Sequence, residues 1–183
     1  MMKDELEYFD IVNDNDEVVG KIKESEQKNI KQNQLRFINI LIFNDENKIL
    51  VPKRSSNRKI SPNCYDFSVG GHVNSGENYE QAAYRELEEE LGIKNVKLNK
   101  VAYFNPYISE SNTFQTVYTL KYEKAIINYD KDGIENIFYL TKEEIKELMN
   151  DKPKLFKTDY FVVMKYLFNM WIYIFIIDDM RRD

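Results

Sequence analysis

Residues 71–93 read GHVNSGENYEQAAYRELEEELGI, and the fold of the whole chain turns on them. Asn78 with Gln81 three positions later is a predicted capping box, and Gly92 stands where a helix ends, so 78–91 is read as one helix. At about 100° per residue, Glu86, Glu89 and Glu90 fall within roughly a 100° arc, and Glu88 points the other way. Tyr84, Leu87 and Leu91 form a separate apolar stripe fit to pack on a sheet. Like charges at this spacing cost a few tenths of a kcal/mol per pair. An oxygen-only donor set suits Mg²⁺ or Mn²⁺, which would remove that cost. For the glutamates taken alone, a solvated acidic face is the plainer reading.

Outward from this helix the chain alternates β-rich runs with polar turns. Residues 8–12 and 18–22 flank Asn13-Asp14-Asn15-Asp16 and predict a hairpin. Residues 27–34 are polar, a linker or a short helix. The runs 37–43 and 49–51 predict two buried strands joined by a turn, followed by a basic loop over 55–63. Residues 67–69 lead into the Gly70-Gly71 pair; 96–107, 113–122 and 134–140 are strand-like. Thr141 with Glu144 forms a second capping box, and 159–168 is a third helical stretch. Strands mixed with two or three helices, without strict βαβ alternation, predict an α/β sandwich around a mixed sheet.

The 183 residues suit one domain. Of these, 43% are apolar, enough for a sizeable core and too many for a disordered chain. Lys plus Arg is 26 against 31 Asp plus Glu, a net charge of −5, so nucleic acid is not an expected partner. The lone Cys64 and lone His72 exclude an intrachain disulfide and any site needing two imidazoles. His72 is expected as a satisfied strand residue, and Cys64 as a small buried apolar one. Residues 1–7 have no signal-peptide core, and a reducing cytoplasm fits best.

The stretch 71–93 resembles the Nudix box, G-x5-E-x7-R-E-U-x-E-E-x-G-U with U aliphatic. Every constrained position is matched, by Gly71, Glu77, Arg85, Glu86, Leu87, Glu89, Glu90, Gly92 and Ile93. The surrounding order of strands is also similar to the Nudix fold from about residue 34 to 168, an α/β/α sandwich. The resemblance implies a loop–helix–loop holding Mg²⁺, or Mn²⁺, against the diphosphate of a small-molecule substrate. The reaction it implies is hydrolysis of a nucleoside diphosphate derivative, of the ADP-ribose or nucleotide-sugar type. Carried over by position, Glu86, Glu89 and Glu90 become metal ligands, with the Gly71 carbonyl as another. Glu86 and Glu89 are then candidate catalytic groups, and Arg85 with Glu77 supports them. On this reading 1–33 is a hairpin and linker within the same domain, 34–169 is the hydrolase domain, and 170–183 is an apolar extension of unknown role.

The hairpin, Lys53-Arg54-Ser55-Ser56 and 68–73 resemble a narrower branch, the Nudix proteins similar to type 1 isopentenyl-diphosphate isomerase. That isomerase chemistry, as the resemblance implies it, needs a cysteine just before the Gly-His pair and several histidines; Gly70 stands there and His72 is alone. Arg36, Arg54 and Arg58 lie just before the box and are the candidate phosphate binders, since guanidinium forks suit phosphate. Phe104, Tyr107 and Phe114 are expected in the core more than against a nucleobase. From 161 to 177 the chain is apolar or tyrosine except Lys165 and Asn169, borderline for a membrane helix; packing on the domain or a homodimer interface is expected instead.

Overall fold

The computed structural model describes residues 7–109 and 111–169. The expectations for 1–6 and 170–183 lie outside the described residues. Strands β1 (Tyr8–Val12) and β2 (Val18–Lys23) pair antiparallel around the expected turn. There Asn13 Oδ1 accepts the backbone N–H of Asn15 and of Glu17, both at 3.0 Å, a side-chain mimic of a backbone turn. The polar segment that follows forms two 3-10 turns, Glu24–Asn29 and Gln32–Gln34.

The β-branched runs become β3 (Arg36–Phe43), β4 (Ile49–Arg54), β5 (Val69–His72), β6 (Asn99–Phe104), β7 (Phe114–Lys121) and β8 (Ile134–Leu140). They form one mixed sheet in the order β6-β7-β3-β4-β8, with β5 paired to β3. Only the β3–β7 pair is parallel. Alternation along β3 sends Ile38, Ile40 and Ile42 to one face, where they meet Ala82, Ala83, Leu87 and Leu91 of helix α1 (Tyr79–Leu91). Leu41, Val51 and Val117 face the other way. They pack on Ile145 and Met149 of α2 (Lys142–Asp151) and on Tyr160 and Phe161 of α3 (Thr158–Phe168). This is the expected α/β/α sandwich, and no helix among the described residues is long and apolar enough to cross a membrane.

The sheet forks, and the fork places the site. β3 and β4 pair only at Phe43 and Ile49. Beyond that point the Ser68 hydroxyl spans the gap, accepting from Ile42 N at 2.8 Å and donating to the Leu50 carbonyl at 2.6 Å. β5 then takes the vacated edge of β3, with Gly71 opposite Ile38 and so on the α1 face. Gly70 and Gly71 are thereby laid along the helix that carries the glutamates.

Candidate active site

Helix α1 starts and stops as its sequence dictates. Asn78 Oδ1 accepts from Gln81 N and Gln81 Oε1 from Asn78 N, both at 2.9 Å. Gly92, at φ 65°, closes the helix: its N–H donates to Glu88 O at 2.9 Å and that of Ile93 to Leu87 O at 3.3 Å, an ending in the left-handed conformation that favours glycine. The last turn carries Glu88, Glu89 and Glu90 and no basic residue, which is unfavourable at the negative end of the helix dipole. A local cost of that kind marks a site with another purpose. Glu88 turns aside to Lys94, 2.5 Å away; the other glutamates do not.

Arg85 organises them. Its Nε and Nη2 grip both Glu77 oxygens at 2.8 and 3.0 Å, and Nη2 also reaches the His72 carbonyl at 2.9 Å. Nη1 donates to Glu86 at 2.7 Å and to Glu89 at 3.3 Å. Glu77 in turn accepts the Asn74 N–H at 3.0 Å, so the loop and the helix are tied through one guanidinium. The Glu86 carboxylate lies directly over Gly71, where any Cβ would overlap its oxygens.

Charge is concentrated here beyond what Arg85 neutralises. Burial, with Glu89 and Glu7 nearby, lifts the Glu86 pKa against the pull of Arg85. Burial, then Glu86 and Asp66, push Glu90 up to about 8, although Arg58 and the Gly70 N–H oppose the rise. Burial works against the Arg85 charge, but Glu77 and Glu86 outweigh it and hold the guanidinium above its ordinary pKa. Among the described residues no His, Cys, Asp and Glu groups are gathered as a ready-made cation cage; Arg85 stands among the glutamates as counter-ion. The donor chemistry nonetheless fits a hard divalent cation. It is all oxygen, and Glu86, Glu89 and Glu90 bring more negative charge to this helix than the single Arg85 guanidinium offsets.

Around these carboxylates lies a cleft of about 640 Å³, of a size suited to a nucleotide-like ligand. Its walls include Glu86, Glu89 and Glu90, Arg58 and Lys131, Tyr129 and Ile127, and Glu7, the residue before β1.

A family model described as NUDIX domain matches residues 33–159. The chain belongs to the Nudix family. It is 39% identical over 155 residues to a Nudix hydrolase of Nostoc sp., covering 82% of this chain and 89% of the relative. With a Nudix hydrolase of Deinococcus radiodurans it shares 34% identity over 141 residues, 76% of this chain and 81% of the other. A Deinococcus radiodurans crystal structure superposes with TM-score 0.82 at 30% identity, over 87% of this chain and 98% of that one. An RNA pyrophosphohydrolase of Pelagibacter ubique is 49% identical over 63 residues, 34% of this chain. The protein is thus a Nudix hydrolase.

The helix places Arg85, Glu86, Glu89 and Glu90 on one cleft, with Glu86 over Gly71. The three arginines separate. Arg58 reaches the cleft, paired to Asp130 at 3.0 Å. Arg36 instead holds Asp16 Oδ1 at 2.5 Å and the Asp16 carbonyl. Arg54 holds Asp66 at 2.8 Å and the carbonyls of Ile60 and Ser61; neither lines the glutamate cleft. Phe104 and Phe114 are core, as expected, and Tyr107 is exposed. Cys64 is half-buried, its thiol 3.7 Å from the Lys154 carbonyl. His72 is the expected strand residue but not a satisfied one. Its ring lies between Phe9 at 4.1 Å and Phe37 at 4.0 Å, which offer no acceptor, and Nε2 has no partner. Glu7, Asp130 and Lys131 were not foreseen, and no local pattern around them announces a site.

Two of these groups give the metal-free protein a distinctive pH profile. Burial lowers His72 to about 4 from 6.5; the unfolded chain then binds the proton first, and stability falls as pH drops from 6.5 towards 4. Glu90, raised from 4.5 to about 8, has the opposite sign. Its folded form holds the proton longer, so stability falls as pH rises through the same range and on to 8. The two oppose each other below 6.5; above it His72 drops out, and Glu86, also raised by burial, has the same sign as Glu90. In EDTA the melting temperature is therefore expected to fall between pH 6.5 and 8, and in millimolar Mg²⁺ that fall should flatten. A metal-free melting temperature that climbs over this interval would contradict the assignment.

Proposed function

We propose that the enzyme hydrolyses the diphosphate linkage of a nucleoside diphosphate derivative, of the ADP-ribose or nucleotide-sugar type, with Mg²⁺ as cofactor and Mn²⁺ as substitute. The observation that carries this is the single Arg85 guanidinium joining Glu77, Glu86 and Glu89 beside Gly71. When bound to Glu86, Glu89, Glu90 and the Gly71 carbonyl, the cation would act as Lewis acid on the phosphoryl oxygens. The chain's own residues do the rest. Arg85 fixes the glutamates, and a helix carboxylate takes the proton from the water that attacks phosphorus. Arg58 and Lys131 meet the negative charge of the diphosphate at the rim. Tyr129 and the exposed Ile127 offer apolar surface to the group beyond it.

The competing diphosphate isomerisation finds less support. A side chain at Gly70 would stand 2.9 Å from Asn39 Oδ1, so the position of the isomerase cysteine is already crowded. Cys64 does not line the cleft.

A pooled assay with Mg²⁺ read by ³¹P NMR tests the proposal. The pool holds ADP-ribose, a nucleotide sugar, nucleoside triphosphates, a 5′-triphosphorylated oligonucleotide and isopentenyl diphosphate. New phosphomonoester signals from ADP-ribose or the nucleotide sugar are expected. Turnover confined to the oligonucleotide, or conversion of isopentenyl diphosphate to its allylic isomer, would overturn the substrate class.

A further inference from the structure

The hairpin of β1 and β2 lies before the residues that match the family model, yet it is bound to the loop that begins the Nudix box. Asp10 makes the connection. It is a carboxylate only 8% exposed, and a buried charge persists only where it is paired or hydrogen-bonded. Its Oδ1 accepts the Ser75 hydroxyl at 2.6 Å and its Oδ2 the Gly76 N–H at 3.2 Å. On the same strand the Tyr8 carbonyl accepts Ser75 N at 2.7 Å, and Phe9 bridges Asn74. Gly76 takes a φ of +86°, open to glycine, in a turn closed locally by Glu77 N–H on the Asn74 carbonyl at 3.0 Å; Asp10 adds a tie to this turn from outside it.

From this turn the chain runs directly to the site. Glu77 follows Gly76, receives the Asn74 N–H, and holds Arg85 in a bidentate pair; Arg85 sets Glu86. A second anchor sits at the hairpin tip. Asp16 accepts from Tyr79 at 2.8 Å and Tyr103 at 2.9 Å, and it pairs with Arg36. Tyr79 is the first residue of α1, so the hairpin holds the loop at both ends.

We infer that the N-terminal hairpin is a working part of the active site, with Asp10 a positioning residue that holds the Ser75–Gly76 turn and, through Glu77 and Arg85, the metal-facing carboxylate of Glu86. The inference rests on the metal reading above. Loss of a residue that orients metal ligands typically weakens metal binding 10- to 100-fold.

The test is Mn²⁺ binding to the full chain, followed by the loss of the free-ion EPR signal, together with the melting temperature of each variant. Asp10→Ala is expected to weaken Mn²⁺ binding about tenfold or more. Asp10→Asn, which keeps one acceptor, should fall between it and the wild type and guards against a misfolded alanine variant. Val12→Ala removes buried methyl groups from the same strand; it should lower the melting temperature and leave Mn²⁺ affinity within about twofold. Wild-type affinity in both Asp10 variants would overturn the inference, as would a Val12→Ala affinity that falls in step with its stability. A wild-type protein that leaves the free Mn²⁺ signal untouched would contradict the metal reading itself, and this inference with it.

Discussion

Glu86→Gln is expected to lower turnover at saturating Mg²⁺ by at least about 100-fold, the scale on which a positioned catalytic or charge-stabilising group acts. The fold should survive. Glu86 lies near Gly71 and Arg85 rather than in the apolar core, and its carboxyl is already driven toward the neutral form by burial. Removing that charge relieves repulsion with Glu89, so the metal-free melting temperature should hold or rise slightly. Gly71→Ala approaches the same carboxylate from the strand. A methyl there overlaps the Glu86 oxygens, and either that side chain or β5 must move. Its activity should fall to a similar level although no carboxylate is lost. Near wild-type turnover in both variants would remove Glu86 from the machinery.

Arg85→Met is expected to have the largest effect on stability. Arg85 is the counter-ion of Glu77, Glu86 and Glu89, with only 22% of its side chain exposed. Methionine keeps much of its length and apolar stem but leaves those carboxylates facing one another. Breaking a partly buried network from one side costs about 2–4 kcal/mol, a fall of roughly 5–15 °C for a domain of this size. Mg²⁺ should restore part of the loss, because it supplies positive charge to the same carboxylates. A metal-free melting temperature within about 2 °C of the wild type would show that Arg85 does not carry that electrostatic load.

What could be read from the chain alone was whatever short range decides. The ends of α1 follow from Asn78, Gln81 and Gly92, and the common face of Glu86, Glu89 and Glu90 follows from helical pitch. β8 and the Thr141–Glu144 box likewise formed where their local patterns placed them. The failures share a cause, since each depends on partners far away in sequence. Arg36, Arg54 and Arg58 look alike as loop and strand-end cations; their fates were set by Asp16, Asp66 and Asp130, between 12 and 72 positions away. Arg58 also needs Gly133, where a side chain would occupy the place of its guanidinium. Glu7 comes to the cleft only because β1 docks on residues 74–76, and the stacking that strips His72 of a partner requires Phe9 and Phe37 from two different strands. Pattern and spacing specify faces and caps, whereas the partner of a charge is settled only when the sheet has formed.

Anomalous diffraction from a crystal soaked in Mn²⁺ tests most directly that these glutamates form a metal-dependent hydrolytic site. The expected peak lies among the carboxylates of Glu86, Glu89 and Glu90 and the Gly71 carbonyl, with oxygen ligands at about 2.1–2.2 Å. A fully soaked crystal with no peak there, or with its only peak at another carboxylate such as Asp10 or Asp16, would contradict the account.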